Sequence, residues 1–159
     1  MKITHNSFIF KQLDKKDELP YELLLLADPS KKMIDQYIRK SDVFTALYQE
    51  ETIGVVALFP LTKNTAEIKN VAVKTEFQRH GIGTFLIENA IQAAQSNGMK
   101  SIVIGTANSS IGQLFLYQKL GFEMTEVKKD FFLENYAETI FENGLQAKHM
   151  VVMERALKC

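Results

Sequence analysis

Apolar and polar positions change period several times along the chain, and the changes mark out its elements. Residues 7–13 alternate, with Phe8 and Phe10 on one side and Ile9 and Lys11 on the other, the two-residue period of a strand. Asp14 can cap a following helix in which Leu19, Leu23 and Leu26 recur at helical spacing. Asp17 and Glu18 suit its first turn, and Pro20 is tolerable only near its start. Asp28-Pro29 ends it. Ser30 then caps a shorter helix carrying Ile34, Tyr37 and Ile38 on one side. Residues 43–48 and 53–59 read as strands joined through Gln49-Glu50-Glu51-Thr52, short enough for a hairpin. Residues 66–73 form the next strand, antiparallel to its predecessor across a short polar link.

The period then lengthens. Residues 82–94 place Ile82, Phe85, Leu86, Ala90 and Ala93 on one helical face, widened by Ile87 and Ile91, and Asn97-Gly98 terminates the helix. Residues 101–105 (SIVIG) are a short apolar strand. Strand, helix and strand in succession predict a crossover, so this strand runs parallel to 66–73. Ser110 to Gln113 matches a capping box opening another helix, with Ile111, Leu114 and Phe115 inward and Gly121 at its end. Residues 122–127 are the next strand. Residues 128–147 form a long connection rich in acids and aromatics, and 148–155 are the last strand, with Met150, Val152 and Glu154 on one face.

Composition narrows the classes. The chain has 159 residues, 46% hydrophobic and 24% charged, which suits one ordinary globular domain spanning 1–159. Lysine plus arginine equals aspartate plus glutamate at 19 each, so charge makes no case for nucleic acid or an anionic membrane. No apolar run reaches membrane-spanning length, and the run Leu23 to Leu26 is too short. The first ten residues lack a signal-peptide core, and the single cysteine fits a reducing compartment, so a cytoplasmic location is expected. His5, His80 and His149 show no ligand spacing, so no metal is expected. Cys159 lies away from every motif.

Chemistry concentrates between Glu67 and Gly83, in EIKNVAVKTEFQRHGIG. An apolar strand core, Val71-Ala72-Val73, is followed within a few residues by Gln78-Arg79-His80-Gly81-Ile82-Gly83 and then directly by a helix. A helix N-terminus offers free N–H groups and partial positive charge, and glycine lets backbone approach an anion closely. Arg79 and His80 add positive or potentially positive charge. The pattern fits a diphosphate site at a strand-to-helix turn; a plain two-glycine turn is the alternative. Leu86 stands where a dinucleotide fingerprint has its third glycine, and no Gly-Lys-Ser/Thr ends the loop, which excludes a P-loop. Within the strand, strict alternation changes character near Asn70. A one-residue bulge there would restore one apolar face; a strand buried on both faces is the alternative.

Together these elements resemble the GNAT superfamily of acetyl-CoA-dependent N-acetyltransferases, most strongly from Ala66 to Phe122. The phosphate-loop motif Arg/Gln-x-x-Gly-x-Gly/Ala stands here as Gln78 to Gly83. The later motif, an Asn after the fifth strand and a helix bearing Tyr and ending in Gly-Phe, stands as Asn108, Tyr117 and Gly121-Phe122. The resemblance implies an α/β (α+β) fold: one domain with a mixed, mostly antiparallel sheet of six or seven strands and about four helices. It implies acetyl-CoA as cosubstrate and transfer of its acetyl group to a primary amine by direct attack in a ternary complex.

The resemblance also implies roles. The amides of Arg79, His80, Gly81, Ile82, Gly83 and Thr84, following Gln78, would hold the CoA pyrophosphate. Val71, Ala72 and Val73, around the expected bulge, would bond the pantetheine arm, the Val71 N–H facing the thioester oxygen. Tyr117 would be the general acid for the departing thiolate, and Glu67 a candidate base for the amine. Asn108 would contact the cofactor or pin the gap where strands diverge; a turn residue is the alternative. The acids Asp130, Glu134, Glu138 and Glu142, with Phe131, Phe132, Tyr136 and Phe141, make 128–147 a candidate acceptor loop; a solvated loop whose aromatics pack onto the sheet or a second subunit is the alternative. The acceptor would be a small-molecule or peptide amine, and a homodimer through the last strands is an expectation. Two alternatives stand beside the enzyme: a non-catalytic acyl-CoA-binding module, and a transferase of another acyl group.

Overall fold

The meander predicted for the first half of the chain is present, and it runs into a single parallel crossover. A computed structural model describes residues 7–158, so His5 and Cys159 lie outside the described residues. Strand β1 (Phe8–Gln12) precedes helices α1 (Tyr21–Ala27) and α2 (Lys31–Tyr37) and a 3-10 turn, Ile38–Lys40. Strands β2 (Asp42–Tyr48), β3 (Glu51–Pro60) and β4 (Thr65–Val73) follow, then α3 (Ile82–Ser96), β5 (Ser101–Ala107), α4 (Ile111–Lys119) and β6 (Glu123–Lys128). Next come α5 (Phe131–Asn135), a hairpin of β7 (Phe141–Glu142) and β8 (Leu145–Gln146), and β9 (Met150–Ala156). The main sheet has seven strands in the order β1-β2-β3-β4-β5-β9-β6. Among the described residues only β4 and β5 pair in parallel; every other pairing in it is antiparallel.

Local chemistry explains the turns. Gln49 and Glu50 both have positive φ, which makes a two-residue turn between the paired Tyr48 and Glu51. Gly98 takes φ +77 after α3 and Gly121 takes φ +93 after α4, and the Phe122 N–H bonds back to the Tyr117 carbonyl at 3.0 Å.

Four expectations change. The first helix does not begin at Asp14. Asp14 and Asp17 bond each other instead, and α1 starts only after Pro20, whose ring cannot sit inside a helix. The capping box at Ser110 does not form, because the Ser110 hydroxyl is turned to Glu142. Ile111 and Phe115 are exposed rather than inward. The buried residue of α4 is Tyr117, with Leu114, Leu116 and Leu120 partly buried against the core. The connection 128–147 is structured, giving a fifth helix and the β7–β8 hairpin. Its turn is Asn143-Gly144, both at positive φ, the residue pair such turns favour.

Two apolar cores cover the two faces of the sheet. One joins α3 and Tyr117 of α4 to Phe44, Val56, Ala66, Ile68 and Ile104; the other joins α1 and α2 to Val43, Val55, Ala57 and Ala72. Strand β4 serves both. Ala57 of β3 pairs with Asn70 and Leu58 pairs with Ile68, so Lys69 is an extra residue, the expected bulge. Before it, Ala66 and Ile68 face α3. After it, Val71 and Val73 pack on that core while Ala72 belongs to the other. The bulge therefore keeps one continuous apolar face across a sequence whose alternation slips.

Candidate active site

The bulge also opens the sheet. Strands β4 and β5 pair only from Thr65 opposite Ser101 to Ile68 opposite Ile104, although both continue beyond. Past Lys69 they leave a cleft of about 1020 Å³. It is lined by Ile68 to Val73 of β4 and Ile104 to Thr106 of β5. The turn into α3 lines it with Gln78, Arg79, Gly81, Ile82, Gly83 and Thr84, and α4 lines it with Ser110, Gly112, Gln113, Leu116 and Tyr117. Leu26, Ala27 and Pro29 line it from the α1–α2 side, and Ile140 to Asn143 from the hairpin. The cleft thus passes through the sheet, with α3 and α4 on one face and the α1–α2 connection on the other. Freed from β5, half of the backbone polar groups in this part of β4 point into it. A smaller pocket, about 380 Å³, between β1 and the 3-10 turn holds none of the candidate residues.

On the α3 face the chain is shaped for an anion. Gly81 caps α3 in the left-handed region at φ 78 with no side-chain cap, and Arg79 is left-handed too at φ 67. The first-turn N–H groups of α3 are therefore open toward the cleft. The helix has 15 residues, long enough for a full end dipole. A Cβ built at Gly83 or Gly112 meets nothing within 4 Å beyond its own stretch of helix, so both glycines border open space rather than packed neighbours. Gln78 folds back, its Nε2 donating to the Val73 carbonyl at 3.1 Å. Arg79 lines the cleft; His80 is exposed and does not.

Tyr117 lines the cleft from the α3 face. It is 5% exposed, and no described residue hydrogen-bonds its hydroxyl. Burial first, and the Glu142 carboxylate second, push its phenol well above the usual value of 10.0, so it holds its proton across the working pH range.

Glu67 and Asn108 stand apart from the lining. Glu67, between Ala66 and Ile68, faces the α1–α2 side of β4 before the bulge, and its carboxylate pairs with Lys69 at 3.1 Å. Lys69 does line the cleft, with its ammonium 5.4 Å from the Phe59 ring centre. Asn108 spends its side chain on the 146–149 backbone: Nδ2 donates to the Gln146 carbonyl at 3.2 Å, and Oδ1 accepts from the Lys148 and His149 N–H groups at 2.8 and 3.0 Å. That ties β5 to the chain entering β9, beside the gap.

Of the four acids in the 128–147 segment, Glu142 alone lines the cleft. The Ser110 hydroxyl holds its carboxylate, and Asn143 Nδ2 anchors the hairpin to the Ser109 carbonyl at 2.8 Å. Reading Asn143-Gly144 as a hairpin turn would have singled Glu142 out. Tyr136 instead donates to Asp28 at the end of α1, at 2.9 Å. Asp28 also accepts the Ser30 N–H, and its burial raises its carboxyl above the ordinary range. No cluster of His, Cys, Asp and Glu among the described residues could hold a metal, and no described helix is long and apolar enough to cross a membrane.

The acetyltransferase (GNAT) family profile matches residues 10–122. The chain belongs to the GNAT family. An N-acetyltransferase of Bacillus subtilis called YvbK is 48% identical over 138 residues, 87% of this chain and 88% of that protein. A GNAT acetyltransferase from Elizabethkingia anophelis, solved with acetyl-CoA bound, superposes with a TM-score of 0.93 at 44% identity, covering 96% and 99% of the two chains. A Bacillus cereus protein described as an IAA acetyltransferase superposes at 0.92 with 37% identity over 95% and 100%. This GNAT protein is an acetyltransferase that uses acetyl-CoA as its cosubstrate. The open first turn of α3 and the unfilled space at Gly83 and Gly112 fit such a molecule.

Proposed function

We propose that this enzyme moves the acetyl group of acetyl-CoA to a primary amine by direct attack within a ternary complex. One observation carries the proposal: the cleft runs through the sheet, with an open helix N-terminus on one face, a separate wall on the other, and Tyr117 in its lining. Two substrates can then meet without competing for one entrance. Acetyl-CoA supplies an activated acetyl thioester. The first turn of α3 binds its pyrophosphate, with Gln78, Arg79 and His80 bringing the chain and charge to the turn. The freed backbone of Val71, Ala72 and Val73 bonds the pantetheine arm, and the Val71 N–H faces the carbonyl oxygen where negative charge develops. Tyr117 gives its proton to the sulfur as the carbon–sulfur bond breaks. Asn108 acts as the pin that holds the gap open.

The amine must lose a proton as its nitrogen bonds to the acetyl carbon. Glu67, acting through a water past Lys69, is one base. Glu142 is the second, favoured by its place in the cleft beside Tyr117. The single cysteine suits work in a reducing cytoplasm.

Thiol release from acetyl-CoA, measured across primary amines, peptide N-termini and the acceptor of the Bacillus cereus relative, tests the proposal. Release should require a primary amine. CoA binding without release on any of them would instead support the binding-module alternative, and faster release from a longer acyl-CoA would support another acyl donor.

A further inference from the structure

The wall of the cleft opposite α3 holds a buried polar atom with no partner. Asn70, the residue after the bulge, is 4% exposed and lines the cleft. Its Nδ2 donates to the Leu24 carbonyl and to the Tyr37 hydroxyl oxygen, both at 3.0 Å. Those two bonds use both amide hydrogens and fix the plane of the group. Turning the amide over would set its oxygen against the Leu24 carbonyl, acceptor against acceptor, so the orientation is determined. Oδ1 is thereby left buried with no hydrogen-bond partner among the described residues. Buried acceptors are normally satisfied, and an unsatisfied one on the wall of a cleft asks for a donor from the cleft.

The surroundings indicate what kind of donor. Leu26, Ala27, Pro29, Ile140 and Phe141 share the lining, with Leu26 and Phe141 both exposed, so the body of the ligand meets apolar surface. A carboxylate at position 70 would hold an amine in its protonated form. A neutral amide oxygen accepts an N–H while leaving the nitrogen easier to deprotonate, as attack on a thioester requires.

We propose that Asn70 Oδ1 accepts a hydrogen bond from an N–H of the acceptor and so is the amine-recognition point of the cleft. This rests on the proposed function and names the group that reads its substrate. Tyr37 and the Leu24 carbonyl act as positioning groups, since they aim the amide without touching the ligand.

The test uses the full chain loaded with CoA and two probes. Phenethylamine has N–H groups and an apolar body. Its N,N,N-trimethyl analogue keeps the ring and charge but has no N–H. CoA binding is measured first by calorimetry; its failure would sink the acyl-CoA reading, whereas the amine probes bear on Asn70 alone. Phenethylamine should bind about tenfold or more tightly than the trimethyl compound, the scale of one well-made hydrogen bond to a charged group. In Asn70→Leu and Asn70→Ala the ratio should fall to near one, with CoA affinity unchanged. A ratio near one in the unaltered protein, or a ratio preserved in both variants, overturns the inference. If neither variant folds, the Asn70 side-chain amide signals of the unaltered protein decide. They should shift with phenethylamine and stay still with the trimethyl compound; signals unmoved by both overturn it.

Discussion

The two halves of the cleft are built by different means. The half facing α3 is made of backbone: a left-handed Gly81, an uncapped helix end, and a strand released from its neighbour. The half facing α1 is made of side chains drawn from three separated stretches: Leu26, Ala27 and Pro29; Asn70; and Ile140 and Phe141. A backbone site tolerates changes in most side chains but needs its turns and register. A side-chain site changes specificity with each substitution and depends on contacts between distant parts of the chain. One fold can therefore keep a donor while its acceptors diverge.

That division can be broken most sharply at the junction. Tyr117→Phe should lower kcat by about 10²- to 10⁴-fold while leaving the KM for acetyl-CoA nearly unchanged, as steady-state kinetics would show. Unchanged turnover would remove Tyr117 from the chemistry. The pH profile adds a check. Because burial is the larger cause of the raised phenol pKa, Tyr117 stays protonated below pH 10. No alkaline fall in kcat should come from it there, in the native protein or in Glu142→Gln, where loss of the carboxylate brings the pKa down only part of the way.

Next come the two carboxylates. Loss of the base should cost on the order of 10²-fold in kcat/KM for the amine. We expect the larger loss in Glu142→Gln, since Glu67 lies off the lining. A larger loss in Glu67→Gln would return the role to the strand.

Gly83→Val should act on the donor half alone. The added side chain enters the open space at the start of α3, so the KM for acetyl-CoA should rise about tenfold or more, some 1.4 kcal/mol. Thermal stability should hold or improve, because glycine is a poor helix former. If the affinity survives, the first turn of α3 is not the pyrophosphate site.

The smallest effect is a control far from both halves. Gly98→Ala places a Cβ at φ +77, at a cost of ~1–2 kcal/mol. Calorimetric Tm should drop by several degrees with neither KM altered.

How legible each half was depends on how it is made. Gln78 to Gly83 is contiguous, and its turn, glycines and helix are local properties, so residues alone indicated an anion site. The bulge was also readable, because alternation that slips by one residue must be repaired somewhere if one face is to stay apolar. The acceptor half was not. Glu142 reaches the cleft through a hairpin whose Asn143-Gly144 turn is local, but its bond to Ser110 is not. Ser110 consequently failed as a cap, a competition invisible to spacing. Periodicity places Ile111 and Phe115 inward, yet α4 turns Tyr117 to the core instead. Asn70 looked like an interruption in an apolar strand. Its meaning depends on Leu24 and Tyr37, dozens of residues away.

The extra residue in β4 makes chain length, more than composition, the quantity this site depends on. Removing Lys69 alone would leave Asn70 opposite Ala57 and every later side chain on its present face, but it would take out the bulge that turns the strand away from β5. The strand could then pair further with β5 and the opening would narrow. Point changes along β4 retune the enzyme by degrees; a single in-frame codon deletion would close the opening that both halves share.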